Sequence, residues 1–131
     1  MKAQASRAVA PILLIEDEPS VTAFLRAALE RHGYAVANAA SGAEGLKMLT
    51  AGKYSGVISD IRMPGAVNGA EVHAWIQKNR PELCARIILI SGDTANSETQ
   101  AFLAQSGTPC IEKPFRVQHL LTVVEKTFGR P

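Results

Sequence analysis

The sequence has few of the residues that would tie it to a disulfide scaffold, a membrane or a nucleic acid. Its two cysteines, Cys84 and Cys110, lack the paired spacing of a zinc site, and we expect reduced thiols in a cytoplasmic protein. Nowhere do the apolar runs approach the roughly 20 residues of a membrane span, so no membrane insertion is expected. The 14 basic and 12 acidic residues are well mixed, and the net charge is only +2. Without a basic run, no direct contact with nucleic acid is predicted.

The first ten residues, 1–10, are predicted to be a disordered leader, and residues 11–131 a single soluble domain. Lys2 and Arg7 precede an apolar run, as in a signal peptide, but Pro11 breaks that run and acids follow it. A chain of 131 residues, 47% of them hydrophobic, is long enough to bury about two-thirds of its unfolded surface. The domain is therefore expected to fold without a disulfide or a structural metal.

Short apolar runs of strand length recur along the chain. Three of them do not alternate with polar residues, which predicts strands covered on both faces of a parallel sheet. These runs are ILLI (12–15), GVIS (56–59) and RIILIS (86–91). Two weaker runs, YAVANA (34–39) and TPCIEK (108–113), are predicted to be edge strands, the second because it carries a proline at its start.

Helical periodicity lies between these runs. The first helix follows from an apolar i, i+3, i+4 pattern, including Phe24, that starts after Pro19 and ends at Gly33. Ser41 and Glu44 predict a capping box for the second helix, and the third helix is predicted to end at Pro81. The fourth helix, at about 96–106, has the weakest pattern. The fifth has an apolar stripe made of Val117, Leu120, Leu121, Val124 and Phe128. Five such βα units predict an α/β fold with a doubly wound sheet.

Polar side chains follow the strands at the edge of the sheet where ligands bind in such folds. They are Glu16, Asp17, Asp60, Ser91 and Lys113. Carboxylates are the hard oxygen ligands that Mg²⁺ prefers, so the three acids predict a magnesium site. With Mg²⁺ bound, Asp60 is predicted to attack a phosphoryl group, whose oxygens Lys113 and Ser91 would bind.

Four motifs resemble those of the receiver domain of two-component response regulators. They are ILLIEDE, SDIRMPG with NG after it, LISG and EKPF, in this order between about Pro11 and Phe128. The resemblance implies a doubly wound (βα)5 fold, a flavodoxin-like three-layer sandwich with parallel strand order 2-1-3-4-5. It also implies a place in a two-component phosphorelay, either as a stand-alone regulator or as a receiver cut from a larger protein.

The resemblance further implies which residues bind the metal. Asp60 becomes both the phospho-acceptor and a Mg²⁺ ligand, and Asp17 becomes a direct ligand. Glu16 would act mostly through water. The backbone carbonyl of Arg62 would be the third protein ligand.

The same resemblance gives roles to the remaining residues and to partners. Ser91 occupies the switch position of the family and Lys113 its lysine position, with a cis bond to Pro114. The phosphoryl donor would be a histidine kinase or a histidine phosphotransfer protein. The aspartyl phosphate would change how a downstream protein binds to the face formed by strand 4, helix 4 and strand 5.

The sequence departs from the common family pattern in three places. MPGAVNG (63–69) has one extra residue, which predicts a longer loop after the acceptor. Cys110 stands where the family usually has an aromatic switch residue, and a thiol cannot reproduce the movement of a ring. Arg62 and Asp93 stand two residues after the acceptor and the switch residue. We expect this pair to bridge the site and slow the loss of the phosphoryl group.

Two other functions remain open from the residues alone. A degenerate receiver would bind partners without phosphorylation, which the complete set of five site residues argues against. A small phosphohydrolase with an Asp nucleophile, or a metal-dependent nucleic-acid enzyme, would usually have a second acid where Arg62 stands. We therefore predict a signalling domain that catalyses only its own phosphorylation and dephosphorylation, and not an enzyme.

Two further expectations concern the surface. His32, His73 and His119 have no ligand spacing and are expected at surface or boundary positions. A homodimer through helices four and five is allowed by the pattern but not required.

Overall fold

The computed structural model describes residues 10–63, 65 and 67–131. Apart from Ala10, the predicted leader lies outside the described residues, as do Pro64 and Ala66 of the predicted longer loop. Within the described part, no helix combines the length and the apolar character needed to cross a bilayer.

Five strands alternate with five helices along the described chain. They are β1 (Ile12–Ile15), α1 (Pro19–Arg31), β2 (Val36–Ala39), α2 (Gly42–Ala51), β3 (Gly56–Asp60), α3 (Gly69–Asn79), β4 (Ile87–Ser91), α4 (Ser97–Ser106), β5 (Cys110–Glu112) and α5 (Val117–Phe128), with a 3₁₀ turn at Pro81–Leu83. All neighbouring strands are parallel, in the order β2-β1-β3-β4-β5. The predicted fold class and strand order are confirmed.

The sheet separates two hydrophobic cores, which explains why its central strands are continuously apolar. Ile12 and Leu14 of β1 belong to the core that also contains buried residues of α1 and α5. Leu13 and Ile15 belong to the opposite core, with buried residues of α2 and α3. Successive side chains of a strand point to opposite faces, so both faces of β1 are covered. The result is a three-layer sandwich.

Side-chain caps fix the starts of α2 and α3. Asn68 and Glu71 form a full capping box at α3, which the sequence reading did not identify. At α2, Ser41 Oγ accepts from the Glu44 N–H at 3.1 Å as predicted. The Glu44 carboxylate instead accepts from the N–H of Ala40 at 2.7 Å, so the predicted box is only half formed.

A close backbone approach at Gly69 brings the start of α3 against the end of β3. A Cβ at this position would lie 2.5 Å from the carbonyl oxygen of Asp60. The N–H of Gly69 donates to the carbonyl of Ile61 at 2.8 Å. The start of α3 therefore packs against the end of β3, which carries Asp60 of the acid cluster.

One histidine differs from expectation. His73 of α3 is buried, with only 5% exposure, whereas His32 and His119 are exposed as predicted. Its Nε2 lies 3.1 Å from Thr108 Oγ1, and its ring meets the ring of Phe102 edge-on. Burial lowers the pKa of His73 from its ordinary value. The sequence reading missed this because α4 and the segment before β5 cover it, and both are distant in the chain.

Candidate functional site

The carboxyl ends of β1 and β3 bring three acids together. Carboxylate oxygens of Glu16, Asp17 and Asp60 all lie within 4.8 Å of one another. Glu16 and Asp60 are buried and Asp17 is half-buried. Because β1 and β3 are paired neighbours in the sheet, their ends lie side by side. The predicted acid cluster is thus present.

Burial and neighbouring groups both act on the Glu16 carboxylate. Its Oε2 accepts the N–H of Glu18 at 3.1 Å. Among the residues that the structure describes, none forms a hydrogen bond with its buried Oε1, although Lys113 Nζ lies 3.3 Å away as an ion-pair contact. Burial raises the pKa of Glu16 to about 7, against the opposing effect of the Glu18 N–H. An orphaned buried oxygen among three carboxylates fits a site for a hard divalent cation such as Mg²⁺.

Lys113 closes the other side of the cluster. Its Nζ donates to Asp60 Oδ2 at 2.9 Å. Burial alone would lower the pKa of Lys113, but the hydrogen bond and charge of Asp60, together with Glu16 and Glu18, raise it above its ordinary value. The ammonium is therefore charged and held against the predicted acceptor. The bond from Lys113 to Pro114 is cis, as the resemblance implied.

Ser91 ends β4 at the same edge and is buried. Its carbonyl accepts the N–H of Lys113 at 2.8 Å, which joins the two residues across the β4–β5 pair. Its hydroxyl accepts the N–H of Asp93 at 3.0 Å. The hydroxyl is thus engaged with the loop after β4.

Arg62 and Asp93 form the predicted ion pair at the mouth of the site. Arg62 Nη1 lies 3.3 Å from Asp93 Oδ2, and both side chains are exposed. The Arg62 N–H also donates to Asp60 Oδ1 at 3.3 Å. The ligand role of the Arg62 carbonyl stays a prediction.

Cys110 opens β5 and is half-buried against the core that contains α3. Burial raises the pKa of its thiol to about 11, so the sulfur is protonated at neutral pH. The side chain at this position is therefore a thiol and not an aromatic ring. Two residues later in β5, Glu112 accepts a hydrogen bond from Thr94 of the loop after β4.

Two features of the site were missed from the sequence. Glu18 was not among the predicted site residues, yet its Oε1 lies 3.3 Å from Lys113 Nζ. Phe24 was placed on the buried stripe of α1, yet it is 44% exposed. With Val21 and Phe115 it lines a groove of about 560 Å³ that also reaches Lys113. Neither contact leaves a local signal, because the partners lie about ninety residues apart in the chain.

Comparison with known proteins finds relatives that include a transcriptional regulatory protein and a sensor kinase. The transcriptional regulatory protein TcrA of Mycobacterium tuberculosis strain H37Rv is 30% identical over 109 residues, covering 83% of this chain and 42% of that protein. The sensor kinase CckA of Brucella abortus is 31% identical over 119 residues, covering 89% of this chain and 12% of that protein. The chain therefore spans less than half the length of these two relatives.

Solved structures with the same architecture are also similar in sequence. A receiver domain protein from Methanospirillum hungatei superposes with a TM-score of 0.82 at 26% identity, covering 92% of this chain and 94% of that one. The response regulator TrrA from Thermotoga maritima, solved in complex with Mg²⁺ and BeF, has a TM-score of 0.78 at 32% identity, covering 91% and 99%.

The sequence pattern of the response regulator receiver domain matches residues 12–125, which is most of the chain. This match agrees with the strand order and with the arrangement of acids and lysine at the sheet edge. The chain belongs to the response regulator receiver domain family, a signalling module of two-component systems.

Proposed function

We propose that this domain takes a phosphoryl group from a phosphohistidine onto Asp60. An Asp60 carboxylate oxygen forms the new O–P bond as the N–P bond of the donor breaks, and the electron pair returns to the imidazole nitrogen. The observation that carries the proposal is the contact of 2.9 Å between Lys113 Nζ and Asp60 Oδ2 inside a buried acid cluster. An ammonium in this position can neutralise phosphoryl oxygens on the acceptor.

The acids would hold Mg²⁺ during this reaction. Glu16, Asp17 and Asp60, with the backbone carbonyl of Arg62, are the proposed protein ligands, and the orphaned Glu16 Oε1 supports them. When bound, Mg²⁺ supplies positive charge that offsets the repulsion between carboxylates and phosphoryl oxygens. Beyond its own phosphorylation and dephosphorylation, the domain is proposed to have no enzymatic activity.

Ser91 would connect the phosphoryl group to the output surface. If the Ser91 side chain rotates so that its hydroxyl donates to a phosphoryl oxygen, its Oγ moves away from the N–H of Asp93. The loop that carries Asp93 and Thr94 then rearranges, and with it the hydrogen bond from Thr94 to Glu112 of β5. The face formed by β4, α4 and β5 would thereby change its affinity for a downstream protein.

The groove beside Lys113 supports a protein donor, either a histidine kinase or a histidine phosphotransfer protein. Val21, Phe24 and Phe115 present apolar surface directly next to the acceptor site. A donor must bring its phosphohistidine to Asp60, so this neighbouring surface is the natural contact. This role would place the domain in the cytoplasm.

Phosphorylation by acetyl phosphate with Mg²⁺ tests the proposal. Intact-mass measurement should show one added phosphoryl group on the wild type and on the control Glu98→Gln, which changes an acid in the first turn of α4. Asp60→Asn should stay unmodified, and removing Mg²⁺ with a chelator should prevent the reaction. A wild type that stays unmodified would instead indicate a degenerate receiver acting as a binding module.

A further inference from the structure

Lys113 contacts a third carboxylate to which the proposed function gives no role. Its Nζ lies 3.3 Å from Glu18 Oε1, in addition to its contacts with Glu16 and Asp60. Of these three contacts, those with Asp60 and Glu18 are hydrogen bonds. The Asp60 side chain is 7% exposed and that of Glu18 is 59% exposed. The ammonium is thus held between the acceptor on its inner side and Glu18 on its outer side.

Capping of α1 does not explain the position of the Glu18 carboxylate. Glu18 is the N-cap residue, but its side chain makes no capping hydrogen bond to the first turn. Its backbone is fixed instead, because its N–H donates to Glu16 Oε2 and its carbonyl accepts the N–H of Thr22. An acid selected for the helix start would contact the first-turn N–H groups. Here the carboxylate contacts Lys113.

We propose that Glu18 is a positioning residue that competes with phosphoryl oxygens for the Lys113 ammonium. The proposal rests on the proposed function, since it needs a phosphoryl group on Asp60. An ammonium has three N–H donors, and in this structure two of them are taken. Because Glu18 is exposed, water replaces its lost contact at little cost. Glu18 is therefore the partner that Lys113 gives up when a phosphoryl group arrives.

The competition predicts tighter binding of a phosphoryl mimic when Glu18 is changed. Beryllofluoride with saturating Mg²⁺ is the probe, titrated into the full chain. Glu18→Gln should bind it about two- to fivefold more tightly, the range expected for an exposed ion pair. Glu18→Asp keeps the charge but shortens the side chain by one methylene, so it should also bind more tightly.

The Glu18→Asp variant distinguishes the effect of the contact between Glu18 and Lys113 from the effect of net charge. If it binds like the wild type while Glu18→Gln binds more tightly, net charge alone explains the effect and the proposal is wrong. A second readout needs neither metal nor mimic. The ¹⁵N signal of the Lys113 side chain should shift in both Glu18 variants and stay in place in Glu30→Gln, which loses a carboxylate elsewhere on α1. An unchanged signal in the Glu18 variants would also contradict the proposal.

The same titration distinguishes this proposal from the proposed function. If the wild type binds beryllofluoride and both Glu18 variants bind it equally well, only the role of Glu18 is wrong. A wild type that fails to bind the mimic overturns the proposed function, and the role of Glu18 with it. Thermal unfolding of each variant checks that the fold is retained.

Discussion

The ion pair between Arg62 and Asp93 crosses the mouth of the site, 3.3 Å from Nη1 to Oδ2. Both side chains are exposed, so the pair adds less than about 1 kcal/mol to folding stability. The position of the pair matters more than its contribution to stability, because the Arg62 N–H also contacts Asp60. A charged pair beside the acceptor is expected to hinder water from reaching an aspartyl phosphate.

Replacing Arg62 by alanine is expected to shorten the lifetime of the aspartyl phosphate. The lost bridge opens the approach of water, and the effect should reach up to about fivefold for an exposed pair. Decay of phosphorylated protein after removal of the donor gives the rate. The control is Arg26→Ala, which breaks an exposed ion pair with Glu30 on α1. Equal decay rates for Arg62→Ala and the wild type would rule out the bridge.

At the scale of elements, β3 and α3 are joined by the backbone approach at Gly69. A Cβ there would lie 2.5 Å from the carbonyl of Asp60, and a backbone atom cannot move aside as a flexible side chain can. The helix start is also fixed by the Asn68 capping box. The position of the acceptor carboxylate thus depends on the absence of a side chain at one residue.

Gly69→Ala is expected to lower the free energy of unfolding by about 1–3 kcal/mol, the usual cost of overpacking. Urea denaturation measures the change. Gly92→Ala is the matched control, because its Cβ would come no closer than 3.7 Å to a neighbouring heavy atom. If both variants lose the same stability, the close approach is not the cause.

The elements themselves were largely predictable from the sequence. The continuous apolar runs of β1, β3 and β4 identify strands buried on both faces, and turn residues locate most helix ends. The predictions that failed concern side chains whose burial depends on long-range contacts. The burial of His73 needs Phe102 and Thr108, and the exposure of Phe24 depends on how α1 packs near Phe115. No local pattern encodes such contacts.

The residues that form the site were predictable because the carboxyl ends of parallel strands meet at one edge of the sheet. Glu16, Asp17 and Asp60 gather as expected, with Lys113 beside them. The sequence could not show that Lys113 also binds Glu18, because their positions depend on the path of the chain after β5.

At the scale of the whole molecule, cation binding and folding are expected to be linked. The three acids converge only when β1 and β3 are paired, so the unfolded chain has no comparable site. A ligand that binds only the folded state raises stability, by about 2.7 kcal/mol at a hundred times its dissociation constant.

Mg²⁺ should therefore raise the melting temperature of the wild type in a concentration-dependent way. Asp17→Asn should lose most of this effect, because it removes a charged ligand from the cluster. Glu98→Gln, which changes an acid in the first turn of α4, should respond like the wild type. The metal site is wrongly assigned if Asp17→Asn and the wild type gain equally from Mg²⁺.

The two outer strands of the sheet are short. β2 has four residues and β5 has three, with Pro109, which has no N–H, just before β5. Edges of this kind offer few free backbone groups to a strand from another molecule. Growth of the sheet by addition of a strand from another molecule is therefore disfavoured, so the sheet can end at five strands without needing a helix or loop to cover its edges.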